Sequence, residues 1–96
     1  MAKLKYDADI FDAIEFGDIE TVKLFWTKHI DINFQEKNGS TMLMLAVAYG
    51  DKQIVKFLLS KGPNLAIRNN DGKTAIGIAE ENGRLEILDL LSQYKK

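Results

Sequence analysis

Apolar and polar positions along this chain repeat with a period of 33 residues. Gly17, Gly50 and Gly83 are spaced by 33 residues, and a set of alanines follows the same spacing. Within each period the apolar residues lie three and four apart, which places them on one face of an α-helix. A fixed period of this length is typical of proteins built from stacked structural units. The pattern predicts an all-α solenoid that forms one domain over residues 1–96.

The best-formed unit, residues 36–68, contains a predicted helix at 42–49 and another at 53–60. Thr41 precedes the first of these helices and is the expected N-cap, because its hydroxyl can accept a hydrogen bond from the helix start. A glycine follows each helix, as a left-handed C-terminal residue requires. The unit therefore reads as turn, helix, turn, helix and a glycine-marked exit.

The two flanking units repeat this order with weaker signals. Their predicted helices cover residues 7–16, 19–28, 75–82 and 85–94. In the last helix, Leu85, Leu88 and Leu91 are predicted to form one apolar stripe, with Ile87 and Leu90 beside it. Trp26 is expected to cover the open N-terminal end of the core, with a role as partner anchor as the alternative. Asn33 is expected to hydrogen-bond the backbone of its own loop, with a modification site as the weaker alternative.

Gly77 lies in the interior of the predicted helix 75–82. Glycine in a helix interior is less favourable than alanine by about 1 kcal/mol. Three units are also close to the minimum for a stable stack. We therefore expect marginal to moderate stability, with the helix that contains Gly77 as the softest element.

The units resemble the ankyrin repeat. The residues that carry the resemblance are GSTMLM at 39–44, then Gly50 and IVKFLL at 54–59. The third unit has GKTAIG at 72–77, Gly83 and ILDLL at 87–91 in the corresponding positions. The resemblance implies stacked helix-turn-helix units with short hairpin-like connecting loops. Repeat 1 would cover about residues 3–35 and act as the N-terminal cap, repeat 2 residues 36–68, and repeat 3 residues 69–96 as the C-terminal cap.

The resemblance also implies a concave protein-binding surface made by the turn tips and the exposed sides of the first helices. Its residues here, called the predicted binding surface, are Glu15, Phe16, Gln35, Lys37, Asn38, Ser40, Ala48, Tyr49, Arg68, Asn70, Asp71, Lys73, Glu81 and Asn82. Phe16 and Tyr49 are one repeat apart, so they should lie side by side. The alternative is that these two rings only pack across the seam between repeats. Met42 and Met44 could extend the surface, although core filling is the stronger interpretation.

Charge and composition then narrow the possible partners. The net charge of −1 gives no bulk attraction to nucleic acid or to an anionic membrane. Residues 36–68 have five Lys or Arg against two Asp or Glu, so this unit is a mildly basic band between acidic neighbours. With no cysteine and no signal or membrane-spanning segment, we expect a cytoplasmic protein that is a monomer when free.

Candidate chemistry is sparse. A single histidine, His29, lies near Asp31, and no phosphate-binding loop is present. The acidic clusters at 7–15 and 80–86 lack the loop of a calcium site, so solvated helix faces explain them better. We expect no catalytic residue, cofactor or metal. The function expected is a non-catalytic interaction module, such as an adaptor. The alternatives are an inhibitor or immunity-type protein that blocks a partner enzyme, and an architectural subunit that associates through its open ends.

Overall fold

A computed structural model describes residues 10–26 and 30–95. In these two stretches the chain forms six α-helices, α1 (Ile10–Glu15), α2 (Ile19–Phe25), α3 (Met42–Tyr49), α4 (Lys52–Leu59), α5 (Ala75–Glu81) and α6 (Leu85–Lys95). Each unit contributes one consecutive pair, as the 33-residue period predicts. The predicted helix start at residue 7 and the lone His29 lie outside the described residues.

The helices pack in two layers. The first helices of the units form one layer, in which α1 packs on α3 and α3 on α5, and the second helices α2, α4 and α6 form the other. Within each unit the two helices also pack on each other. This arrangement confirms the predicted all-α solenoid of stacked helix-turn-helix units.

The core lies between the two layers and follows the repeat register. Ala13, Ala46 and Ala79 occupy equivalent positions, and all three are fully buried. Small side chains there allow the helices to approach closely. Met42 and Met44 are 1% and 2% exposed, so they fill the core and do not extend the surface. A buried methionine of this kind contributes roughly 1.5–3 kcal/mol of hydrophobic stabilisation.

Side-chain caps fix where the helices begin. The hydroxyl of Thr41 accepts a hydrogen bond of 3.1 Å from the Met44 amide, which confirms the predicted N-cap. Thr74 does the same one repeat later, again at 3.1 Å. Asp18 and Asp51 cap α2 and α4 through the amide three residues on. Each cap satisfies a helix N–H group that has no intrahelical acceptor.

The end of α2 differs from the prediction. The helix stops at Phe25, and Trp26 has an extended backbone with φ −69° and ψ 128°, so α2 does not reach Lys28. The Trp26 ring packs edge-on against Phe57 of the second unit, with ring centroids 5.8 Å apart. Trp26 therefore packs against the neighbouring repeat, a contact that the prediction of a covering role at the N-terminal end did not include.

The buried stripe of α6 also differs from the prediction. Leu85 is 75% exposed, whereas Ile87 and Leu91 are 3% and 0% exposed. Ile87 and Leu91 are the equivalents of Ile54 and Leu58, two of the three fully buried residues of α4, and the third, Val55, corresponds to the half-buried Leu88. The repeat register is thus a better guide to this helix than the spacing of its leucines, because the neighbouring unit covers the same positions each time.

Replacing Gly77 by alanine is expected to stabilise the protein by about 0.5–1 kcal/mol. Gly77 lies inside α5, and an added Cβ would be 3.5 Å from the Thr74 hydroxyl, an ordinary van der Waals distance. Urea unfolding would measure the gain, and hydrogen exchange would show slower exchange of the α5 amides. Lower stability of Gly77→Ala, or a third repeat that is already the best protected, would contradict this account of α5.

Candidate functional site

The turn tips of the second and third units are closed by the same side-chain hydrogen bond. The Gln35 Nε2 group donates to the Gly39 carbonyl oxygen at 2.8 Å. One repeat later, an Arg68 guanidinium nitrogen donates to the Gly72 carbonyl oxygen, also at 2.8 Å. Two different side chains at equivalent positions therefore fold the two loops in the same way.

The two tips are also bonded to each other. The Gln35 Nε2 group also donates to the Arg68 carbonyl oxygen at 2.9 Å. The Asn70 backbone N–H donates to the Asn38 carbonyl oxygen at 3.0 Å, and its side-chain amide donates to the Lys37 carbonyl oxygen at 3.0 Å. These bonds fix the two loops relative to each other before any partner arrives, which lowers the conformational entropy lost on binding.

Two aromatic rings are exposed at the C-terminal ends of the first helices, Phe16 just after α1 and Tyr49 as the last residue of α3. Phe16 is 69% and Tyr49 is 53% exposed, so most of each ring surface is not used to fill the seam between repeats. The Tyr49 hydroxyl donates to Glu15 Oε2 at 3.1 Å and joins the first two units. That hydrogen bond, helped by partial desolvation and the carboxylate charge, raises the pKa of Tyr49, so the hydroxyl remains a donor at neutral pH.

In the third unit the charged side chains pair with each other. Lys73 Nζ lies 2.7 Å from Glu81 Oε2, and this hydrogen bond and the carboxylate charge raise the pKa of Lys73. The Asn82 side-chain amide donates to the Ile78 carbonyl oxygen at 2.9 Å, within its own unit. Asp71 is exposed at the loop tip. The third unit therefore presents a polar surface whose charges partly neutralise each other.

Two members of the predicted binding surface are less accessible than expected. Ser40 is only 9% exposed, because it lies under the loop, where its backbone N–H donates to Asn38 Oδ1 at 2.9 Å. The prediction that Ser40 is an exposed member of this surface was wrong. Ala48 is half-buried, and its carbonyl oxygen accepts a 2.7 Å hydrogen bond from Arg84.

Sequence reasoning missed two residues that join neighbouring units. Arg84 stands at the position of Asp18 and Asp51, yet it reaches back to the end of α3 and packs its guanidinium on Gly50. Asn33 accepts a 2.8 Å hydrogen bond from the Asn64 backbone N–H of the next unit, so its predicted bond to its own loop was wrong. The change from Asp to Arg in the register was the available signal for Arg84.

The part of the chain that the structure describes offers little else for chemistry. Within residues 10–26 and 30–95, no group of three or more His, Cys, Asp or Glu side chains could hold a metal ion. None of the helices described there is long and apolar enough to cross a membrane. The arrangement of the described residues is that of a surface for contacts, with preformed loops and exposed rings.

Comparison with known proteins identifies the repeat. The family model of ankyrin repeats matches residues 10–96 in three copies. The chain belongs to the ankyrin repeat family. Ankyrin repeats are protein-interaction modules, and the two-layer stack described above is the scaffold of such a module. No curated protein matches this ankyrin-repeat chain in sequence.

A solved structure is similar to this ankyrin-repeat protein over nearly its whole length. It is that of the Bd0816 predatory endopeptidase from Bdellovibrio bacteriovorus in complex with the immunity protein Bd3460. The matching chain of that complex is 38% identical, with a TM-score of 0.82. The match covers 97% of this chain and 47% of that one, so this chain spans about half the length of its solved relative.

Proposed function

We propose that this ankyrin-repeat protein binds its protein partner through the predicted binding surface, without Ser40, and that it does so without catalysis. The observation that carries the proposal is the exposure of two rings, Phe16 just after α1 and Tyr49 at the end of α3, together with turn tips that are already bonded to each other. The free chain is proposed to be a monomer that takes neither nucleic acid nor membrane as a ligand.

Two physical arguments favour this surface. Aromatic side chains are enriched among the few residues that supply most of the binding free energy at protein interfaces. Rigid loops lose little conformational entropy when a partner is bound, so more of the contact energy appears as affinity. The hydrogen bonds of Gln35 and Asn70 provide that rigidity, and Lys37 is an exposed cation beside them.

The proposal is tested by the affinity of a partner that has been captured from the source cells, identified and purified. Replacing Phe16 and Tyr49 by alanine, together with charge reversal of Lys37 and Lys73, is expected to weaken binding at least about tenfold, because two hot-spot rings are lost. Circular dichroism would establish that the variant is folded.

Leu24→Ala combined with Leu85→Ala is the matched control for this test. Leu24 and Leu85 are 79% and 75% exposed, and neither belongs to the predicted binding surface. This control should bind like the wild type. Unchanged partner binding by the folded Phe16, Tyr49, Lys37 and Lys73 variant would contradict the proposal.

A second candidate function is inhibition of a partner enzyme. It is favoured by the similarity to a chain of the complex between the Bd0816 endopeptidase and the immunity protein Bd3460. If the protein is such an inhibitor, its predicted binding surface would bind a peptidase and block its activity. Adding the chain to purified Bd0816 tests it directly, and a concentration-dependent loss of peptidase activity is expected. Full activity at a large excess of the chain would argue against inhibition of that enzyme.

A further inference from the structure

Lysine side chains cluster on the second-helix layer, away from the predicted binding surface. The group, called the lysine patch, consists of Lys23 of α2, Lys56 of α4, Lys61 just after α4, and the rings of Trp26 and Phe57. The three lysines are exposed and the two rings are half-buried. Lys23 and Lys56 stand one repeat apart, so they occupy equivalent positions of neighbouring helices.

The ring of Phe57 contacts two of the three lysines of the lysine patch, and Lys56 belongs to the patch by its position one repeat after Lys23. Lys61 Nζ lies 4.8 Å from the centroid of the Phe57 ring and 5.4 Å from that of Trp26. Lys23 Nζ lies 6.0 Å from the same Phe57 centroid. Such contacts are attractive, but they are weak at exposed sites. They position the ammonium groups and leave the positive charges unneutralised.

Within the described residues the carboxylates near the lysine patch, such as Glu20 three residues before Lys23 in α2, form no ion pair with its lysines. The sequence of α4 contains two lysines and no acidic residue. One of the two, Lys52, pairs with Glu86 of the third unit at 2.7 Å, and the pairing lowers the pKa of Glu86. Across residues 10–26 and 30–95, no carboxylate is found within salt-bridge distance of Lys23, Lys56 or Lys61.

We propose that the lysine patch is a second docking surface, and that its partner is a carboxylate-rich protein segment lying across α2 and α4. Charge complementarity selects acidic side chains, and the partly exposed Trp26 and Phe57 rings offer apolar contact to the stems of glutamate side chains. The patch is short and ends at Glu86 and Asp89 of α6, both exposed. A nucleic-acid backbone needs a longer basic stripe than this, so a protein segment fits better.

Trp26 provides the reporter for the test, because it is the single tryptophan of the chain and belongs to the patch. An oligoglutamate peptide added to the full chain at low salt is expected to change its fluorescence and to shift the amide resonances of α2 and α4. Replacing Lys56 and Lys61 by glutamine should weaken this binding about fivefold, since an exposed ion pair is weak and two of them are lost. Replacing both by arginine should retain it.

The matched control is Lys52→Gln combined with Glu86→Gln, which removes a lysine of α4 that is already paired and leaves the net charge unchanged. It should bind oligoglutamate like the wild type, as should Phe16→Ala with Tyr49→Ala, which separates this test from that of the predicted binding surface. No change in Trp26 fluorescence with the wild type, or equal weakening in the lysine control, would overturn the proposal. So would tighter binding of an oligonucleotide of equal charge, or self-association that Lys56 and Lys61 mediate.

Discussion

Replacing Leu58 by alanine is expected to lower the free energy of unfolding by about 3 kcal/mol. Leu58 is fully buried in α4, and α4 packs on α2, α3 and α6. Leu58 thus lies in the helix that contacts all three units, and a cavity at its position cannot collapse without moving neighbouring helices. Small domains have only about 5–15 kcal/mol of total stability. The Leu58→Ala variant of this three-repeat stack should therefore lose a large part of its stability, and its cooperative unfolding transition in urea or heat should be strongly diminished.

Leu85→Ala is the matched control for this prediction. The same side-chain atoms are removed, but Leu85 is 75% exposed at the start of α6, so the expected change is within about 0.5 kcal/mol. Urea unfolding followed by circular dichroism measures both variants. Equal losses for Leu58→Ala and Leu85→Ala would show that the second-helix layer is not packed as described.

Replacing Gly39 by alanine is expected to destabilise the protein by about 2–4 kcal/mol, through backbone strain and a clash between loops. Gly39 has a φ of +84°, in the left-handed region that residues with a Cβ rarely adopt. An added Cβ would also lie 2.6 Å from the Asn70 backbone nitrogen. Relief of that overlap must separate the loops and break the hydrogen bonds that Asn70 makes to the tip of the second unit.

Gly72→Ala separates the two contributions. Gly72 is the equivalent of Gly39 one repeat later, with a φ of +79°, yet an added Cβ there would meet no atom within 4 Å. It should lose only the strain, about 1–2 kcal/mol. The difference between the two variants in thermal or urea unfolding then isolates the contact between the loops. If Gly39→Ala and Gly72→Ala lose the same stability, the loops are not in contact.

The helices could be predicted from sequence where a local signal starts or ends them. Thr41, Thr74 and the glycines that follow α3, α4 and α5 act through hydrogen bonds and backbone angles within a few residues. The helices α3 to α6 begin and end within one residue of the predicted positions. The end of α2 was missed because no such signal marks Trp26. Trp26 has an extended backbone, and its ring packs against Phe57, which belongs to another unit.

Contacts between units were the least predictable part of the site. The register correctly placed Gln35 and Arg68 at equivalent loop positions. It could not show that Gln35 also bonds the Arg68 carbonyl, or that Asn70 bonds two carbonyls of the preceding tip. The exposure of Ser40 was also predicted wrongly, because its burial depends on how its own loop folds. Side-chain partners across a seam depend on the relative placement of the units, which a single sequence does not contain.

The most direct test of the account is a hydrogen-exchange footprint of the chain with its purified protein partner. Slower exchange is expected of the amides at the turn tips, residues 35–40 and 68–73, at the end of α3 around Tyr49, and around Phe16 after α1. These segments carry the exposed rings and the bonded loops of the predicted binding surface. A footprint confined to α2, α4 and α6, with unchanged exchange at the tips and around Tyr49, would contradict it.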